Sequence, residues 1–202
     1  MIFSVVLAFG DSLTYGARDE NRKSYPQYLA ESYFQETGHP LVYANEGVNS
    51  DTIADMCRRV YPVCLKYPEA SEVLFFAGTN DTKPGIRTDP KSFGRMLRYI
   101  LNVFTVHGKF TYVATNPGLK GFGSQEYDAE GASALLDLNN VVRETFHLHG
   151  RDGGMVRGVE MEDLSEDPTL FADGCHMNSK GYQAIAERFK AAIAERRNYG
   201  GE

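Results

Sequence analysis

Residues 2–16, "IFSVVLAFGDSLTYG", decide how the chain is read. A nearly continuous apolar run, Ile2 to Phe9, stops at the polar turn Gly10-Asp11-Ser12. Strands covered by helices on both faces lose the alternation of a half-exposed strand and become continuous apolar runs, so 2–9 reads as a central strand of a parallel sheet. A secretory signal is the competing reading, but the segment has neither a basic n-region nor a small-residue cleavage site, and it runs directly into the polar turn.

Outward from this stretch, short apolar runs alternate with longer amphipathic ones: "YPQYLAESYFQETG", then "LVYAN"; "DTIADMCRRVYPVCLKY", then "EVLFFAG"; "PKSFGRMLRYILNVFTVHG", then "KFTYVAT"; "ASALLDLNNVVRETFHLHG", then "GMVRGVE"; and last "SKGYQAIAERFKAAIAERR". Five strand–helix units with right-handed crossovers predict a three-layer α/β/α sandwich, a flavodoxin-like five-stranded parallel sheet in the order 2-1-3-4-5. An eight-stranded barrel needs more units than the chain supplies. With 202 residues and no Pro/Ser-rich or charge-run linker, residues 1–202 read as a single domain. A domain of this size buries roughly 70% of its unfolded surface and needs neither disulfides nor a structural metal.

Acidic residues outnumber basic ones by 27 to 21, and no Lys/Arg stripe offers counterion release from a phosphate backbone, which argues against nucleic-acid binding. No apolar run reaches the roughly 18 residues of a membrane span. Three cysteines make no disulfide framework, and Cys57 and Cys64, seven apart on one helix, sit about 10 Å apart along its axis. The expectation is a soluble, cytoplasmic protein; the sequence fixes no oligomeric state.

In an open parallel sheet, functional groups gather beyond the carboxyl ends of the strands, near the point where strand order reverses. "GDSLTYG", "NEGVNSD" and "GTNDTKPG" follow strands one, two and three, and "DGCH", Asp173 to His176, can reach the same rim from the last long loop. A serine hydroxyl needs a base to take its proton, and the base needs an acceptor on its other nitrogen. Ser12 as nucleophile, His176 as general base and acid, and Asp173 as orienting carboxylate fill those roles. Asp173 and His176 are the ends of a four-residue turn, within about 7 Å of each other. Acyl transfer also needs donors facing the developing oxyanion; the backbone N–H groups of Ser12 and Gly47 and the Asn80 amide are the candidates.

These blocks resemble the SGNH, or GDSL-type, hydrolase family: Gly10-Asp11-Ser12-Leu13, then Asn45 and Gly47, then Gly78-Thr79-Asn80-Asp81, then Asp173 with His176, in order over residues 9–185. Each block alone is weak, and four in order are specific. The resemblance implies a flavodoxin-like fold and hydrolysis of esters through an acyl-serine, without a metal or cofactor. Two blocks depart from the pattern: Asn49 and Ser50 stand where the family commonly has a small residue and glycine, and Met177 follows the histidine where proline is common.

Structural roles compete at every position. Asp11 or Ser12 can cap a helix, although Tyr15 occupies the place where a capping box wants Glu or Gln. Gly47 and Gly78 can serve only their turns, and Asn80-Asp81 is a common turn pair. Cys175 offers a thiol but no second base. His147 and His149 point to different helix faces, so a favourable interaction with a helix C-terminus explains them better than a metal does.

The expected ligand is a small ester, a short-chain acyl or O-acetyl ester, carried on a sugar or another alcohol. Pocket walls are expected from 16–23, 81–91 and 116–128, whose summed charge selects no charged substrate; Tyr15, Phe122 and Tyr127 are available to line the pocket. Acyl transfer to an alcohol or sugar acceptor is the alternative reaction. A non-catalytic binding module is the third reading, weakened by the absence of a P-loop lysine or dinucleotide fingerprint.

Overall fold

The computed structural model describes residues 5–119, 129–149 and 154–199, with residues 198 and 199 described by their backbone alone. Five parallel strands, β1 (Val5–Gly10), β2 (Val42–Gly47), β3 (Ala70–Phe75), β4 (Phe110–Ala114) and β5 (Val156–Val159), lie in the order β2-β1-β3-β4-β5. The helices are α1 (Ser12–Tyr15), α2 (Tyr25–Thr37), α3 (Ile53–Lys66), α4 (Pro90–Val106), α5 (Ala129–His149) and α6 (Ser179–Tyr199).

Side-chain alternation along the strands builds two cores from one sheet. Val6 and Ala8 of β1, with Leu74 and Phe76, face Tyr25 and Leu29 of α2 and Tyr182, Ile185 and Phe189 of α6. Leu7 and Phe9, with Val73 and Phe75, face Ile53, Met56 and Val60 of α3 and Leu97, Ile100 and Phe104 of α4. The chain starts in the middle of the sheet, steps out to β2, then reverses to β3. With right-handed crossovers, that reversal puts α2 on one face and α3, α4 and α5 on the other. The crevice it opens lies beyond Gly10, Gly47 and Phe75, the C-terminal ends of β1, β2 and β3.

No helix among the described residues is long and apolar enough to cross a membrane.

Candidate active site

β1 ends at Gly10 and the chain turns at once into α1. Asp11 caps that helix: its Oδ1 accepts from Leu13 N–H at 2.9 Å, while its carbonyl accepts from the N–H groups of Thr14 and Tyr15. The capping role therefore falls to Asp11, and the Ser12 hydroxyl is spent on something else. Ser12 Oγ lies 3.0 Å from His176 Nε2, and His176 Nδ1 lies 3.0 Å and 3.2 Å from the two carboxylate oxygens of Asp173. When Nδ1 donates to Asp173, Nε2 is left as the acceptor that can take a hydroxyl proton.

The Asp173–His176 pair is held locally. Phe171 and Met177 form an antiparallel bridge, and Ala172 N–H donates to the His176 carbonyl. Asp173 Oδ1 accepts from the N–H groups of Cys175 and His176 at 2.9 and 2.7 Å. Burial pushes the Asp173 carboxyl up, but hydrogen bonds from His176 and Cys175 and the His176 charge outweigh it and hold it below its ordinary value. Cys175 is buried and packs with Leu119 and Leu135.

α6 follows directly and is tied to the loop after Ser12. Ser179 N–H donates to Glu20 Oε2 at 3.0 Å, Ser179 Oγ to Asp19 Oδ1 at 2.5 Å, and Tyr182 OH to the Ala17 carbonyl at 2.7 Å. Serine and histidine, 164 residues apart, thus share one buttress.

The second wall comes from β2 and β3. The sequence reading placed an oxyanion donor at Gly47, whose N–H in the structure already has an acceptor. β2 continues through Gly47, whose N–H donates to Asn45 Oδ1 at 2.9 Å. A Cβ at Gly47 would collide with the backbone of Thr14 and Tyr15, so the glycine is there to let β2 pass close behind α1. Ser50 lines the pocket instead, at φ 68°, in the left-handed region that glycine adopts without strain. Among the described residues, the backbone N–H groups of Ser12 and Ser50 donate to no acceptor.

Gly78, at φ 121°, lets β3 turn into the 3-10 turn Asn80–Thr82. Asn80 is buried beside the pocket, and its Nδ2 donates to the Asp51 carbonyl at 3.0 Å. Asp81 reaches back to the start of α3, where Oδ2 accepts from Ile53 N–H at 2.9 Å, and Thr88 Oγ1 donates to Oδ1. Behind this lies Arg59 of α3, which the sequence reading missed. Its guanidinium donates to the Gly10 carbonyl at 2.8 Å, the Glu46 carbonyl at 2.9 Å and Asp51 Oδ2 at 2.5 Å, and it covers the Phe9 ring. One side chain joins the ends of β1 and β2 to the residue whose carbonyl holds Asn80. Asp11, just in front, is fully buried; burial pushes its carboxyl up to about 7 against the pull of the Leu13 N–H, and Oδ2 has no hydrogen-bond partner among the described residues.

Ser12, His176 and Asn80 open onto a cavity of about 400 Å³. Of the expected wall loops, the first supplies Ala17 and Arg18 and the second supplies Lys83; Tyr15, Asn49 and Ser50 complete the wall. Phe122 and Tyr127 lie outside the described residues. His147 and His149 sit in the last turn of α5.

A buried serine joined through imidazole to carboxylate, at the reversal point of a 2-1-3-4-5 sheet, defines a serine hydrolase of the α/β/α type. The sequence profile of the GDSL-like lipase/acylhydrolase family matches residues 8–184, and the chain belongs to that family. The fold is similar to that of a lipase/acylhydrolase from Enterococcus faecalis, at 21% identity, 96% and 97% coverage of the two chains and TM-score 0.78. It is also similar to a carbohydrate acetylesterase from Sinorhizobium meliloti, at 15% identity, 95% and 99% coverage and TM-score 0.76. A psychrotrophic esterase from Pseudoalteromonas sp. aligns at 17% identity, 96% and 99% coverage and TM-score 0.70. A comparison with curated protein sequences found no match.

Proposed function

We propose that this hydrolase cleaves small carboxylic esters, short-chain acyl or O-acetyl esters that include acetylated carbohydrates, through an acyl-serine formed on Ser12. The observation that carries the reading is the continuous Ser12–His176–Asp173 hydrogen-bond chain. Ser12 Oγ attacks the ester carbonyl carbon as its proton passes to His176 Nε2. The resulting oxyanion is met by the N–H groups of Ser12 and Ser50 and by the Asn80 amide; Ser50 takes the place first given to Gly47. The carbon–oxygen bond to the alcohol breaks, and the leaving oxygen takes the proton from His176. Water then attacks the acyl-serine with His176 as base, freeing the acid and restoring the hydroxyl.

Pocket size and lining support the substrate class. A cavity of about 400 Å³ walled mainly by polar side chains suits a short acyl group on a polar alcohol better than a long alkyl chain. A fold relative in S. meliloti bears the name carbohydrate acetylesterase, which adds support for acetylated sugars. The test is a panel of p-nitrophenyl esters from acetyl to long-chain, with acetylated sugars, run on wild type and Ser12→Ala. Wild type is expected to favour the short esters and the variant to lose nearly all turnover with its fold intact; retained activity in Ser12→Ala removes the assignment. Added sugar acceptors separate hydrolysis, which releases only free acid, from transfer, which yields an acylated sugar.

A further inference from the structure

Ser12 and His176 are 164 residues apart, and the 3.0 Å between Ser12 Oγ and His176 Nε2 depends on what ties their two loops together. Ser12 opens α1, a single turn of four residues, which has no stability of its own as a helix. Past α1, the chain closes a loop on itself at Gly16, where a Cβ would meet the Lys23 carbonyl oxygen at 2.5 Å. Within that loop Arg18 and Arg22 hold φ of 68° and 56°, in the left-handed region that costs a residue with a side chain. Such conformations persist where surrounding contacts fix them, and Asp19, between the two arginines, makes several of those contacts.

The Asp19 carboxylate is buried and joins three parts of the fold. Its Oδ1 accepts from Ser179 Oγ at 2.5 Å and from Tyr28 OH at 3.2 Å, and its Oδ2 accepts from Lys23 N–H at 2.7 Å. Asn21 Nδ2 donates to the same two hydroxyls, Ser179 Oγ at 2.8 Å and Tyr28 OH at 3.3 Å, which leaves both of their protons for Asp19. Tyr28 belongs to α2, and Ser179 is the first residue of α6, three residues past His176. In between, Asn178 fixes the start of α6: its N–H donates to the Leu170 carbonyl, its Nδ2 to the Thr169 carbonyl at 2.7 Å, and its Oδ1 accepts from Gly181 N–H at 3.1 Å. Arg18 leans the same way, with Nε 3.5 Å from Asp173 Oδ2. A displacement of Asp19 is therefore passed in one direction to Ser12 through Gly16, and in the other to His176 through Asn178.

We propose that Asp19 is a positioning residue for acyl transfer: it sets the distance between Ser12 Oγ and His176 Nε2 while touching no reacting atom. The inference rests on the esterase reading and adds to it a residue behind the pocket. A carboxylate suits the task because its two acceptor oxygens can meet three donors at once, whereas an asparagine has one acceptor oxygen and sets its NH2 group against a donor. The Asp173–His176 pair keeps its own hydrogen bonds between Phe171 and Met177 whichever group stands at position 19. Asp19 thus governs serine against imidazole, and not imidazole against carboxylate. A reacting pair misplaced by about 1 Å loses on the order of 10²-fold in rate.

The experiment compares wild type, Asp19→Asn and Ser179→Ala, each with and without His176→Ala, on p-nitrophenyl acetate, with circular dichroism and urea midpoints to establish that each is folded. In Asp19→Asn, kcat is expected to fall about 10- to 100-fold with KM within about twofold of wild type. With His176→Ala in place, the oxyanion donors alone give a residual turnover, corrected for what Ser12→Ala/His176→Ala releases. There the same substitution is expected to cost less than about twofold, because the distance it disturbs no longer matters. A merely structural role lowers turnover alike in both backgrounds. The downfield NMR resonance of the His176 Nδ1 proton shared with Asp173 is expected to persist in Asp19→Asn. Ser179→Ala removes one donor and is expected to lower kcat in the same pattern by about threefold or more, which decides the matter should Asp19→Asn fail to fold. An unchanged kcat in the folded variants, an equal loss with and without His176, or loss of the Nδ1 resonance overturns the proposal. Any of these beside an active wild type leaves the esterase reading standing; no hydrolysis of any ester by folded wild type defeats both.

Discussion

Asn80 is buried with its amide on the Asp51 carbonyl and a net of hydrogen bonds behind it, whereas Asp173, across the same pocket, leaves 39% of its side chain in solvent. The first wall is assembled from the ends of three strands and the start of α3, with Arg59 at the crossing point. The second is one loop, folded on itself between Phe171 and Met177 and leaning on α6. The difference follows from what each wall must do. Donors that stabilise an oxyanion are effective because they need no reorganisation when charge develops, which favours burial and redundancy. An acid–base pair must exchange protons with substrate and water, and local hydrogen bonds suffice to orient an imidazole.

Breaking the buried wall at its tip gives the largest effect of the substitutions behind Ser12. Asn80→Ala is expected to lower kcat on the order of 10²- to 10³-fold with KM little changed, as for loss of one oxyanion donor. An unchanged kcat in steady-state kinetics removes Asn80 from the mechanism.

One layer back, Arg59→Lys keeps the charge but cannot reproduce three directed contacts. About a tenfold fall in kcat is expected, within the range a misplaced site tolerates. The sharper readout is a double-mutant cycle: if Arg59 acts through the Asp51–Asn80 contact, adding Arg59→Lys to Asn80→Ala costs much less than it does alone. Additive losses would show that Arg59 only stabilises the fold.

The smallest expected effect concerns stability. Burial raises the Asp11 carboxyl from 3.8 to about 7. Between those values the unfolded chain has lost the proton that the folded chain keeps, so this group makes stability fall as pH rises through the window and adds no further slope above it. Asp11→Asn keeps an oxygen to cap α1 and removes the titration. Measured by urea unfolding at stepped pH, its stability relative to wild type should rise from about pH 4 to about pH 7 and then level; a constant difference would mean that Asp11 does not titrate there.

Much of this could be read in the sequence, for reasons that also explain what could not. Continuous apolar strands and amphipathic helices give the sheet and its two cores, because burial on both faces leaves no other pattern. That Ser12, Asp173 and His176 come together was legible, since nucleophilic acyl transfer asks for those residue types and Asp173 and His176 are three apart. Gly47 is hard to read from sequence because a glycine needed for close packing looks like one that offers its N–H. Only the continuation of β2 past Asn45 to Gly47 distinguishes them, moving the exposed turn on to Asn49 and Ser50. Arg59 was invisible because a lone arginine on an amphipathic helix normally lies on its solvated face.

The central claim is that Ser12 attacks, with its oxyanion site already built. Its most direct test is covalent trapping by a p-nitrophenyl alkylphosphonate at neutral pH, read by intact mass and peptide mapping on wild type and Ser12→Ala. One adduct per chain on the peptide containing Ser12, absent from the variant, is the predicted result. No adduct on folded wild type, or one that persists in Ser12→Ala, would contradict it.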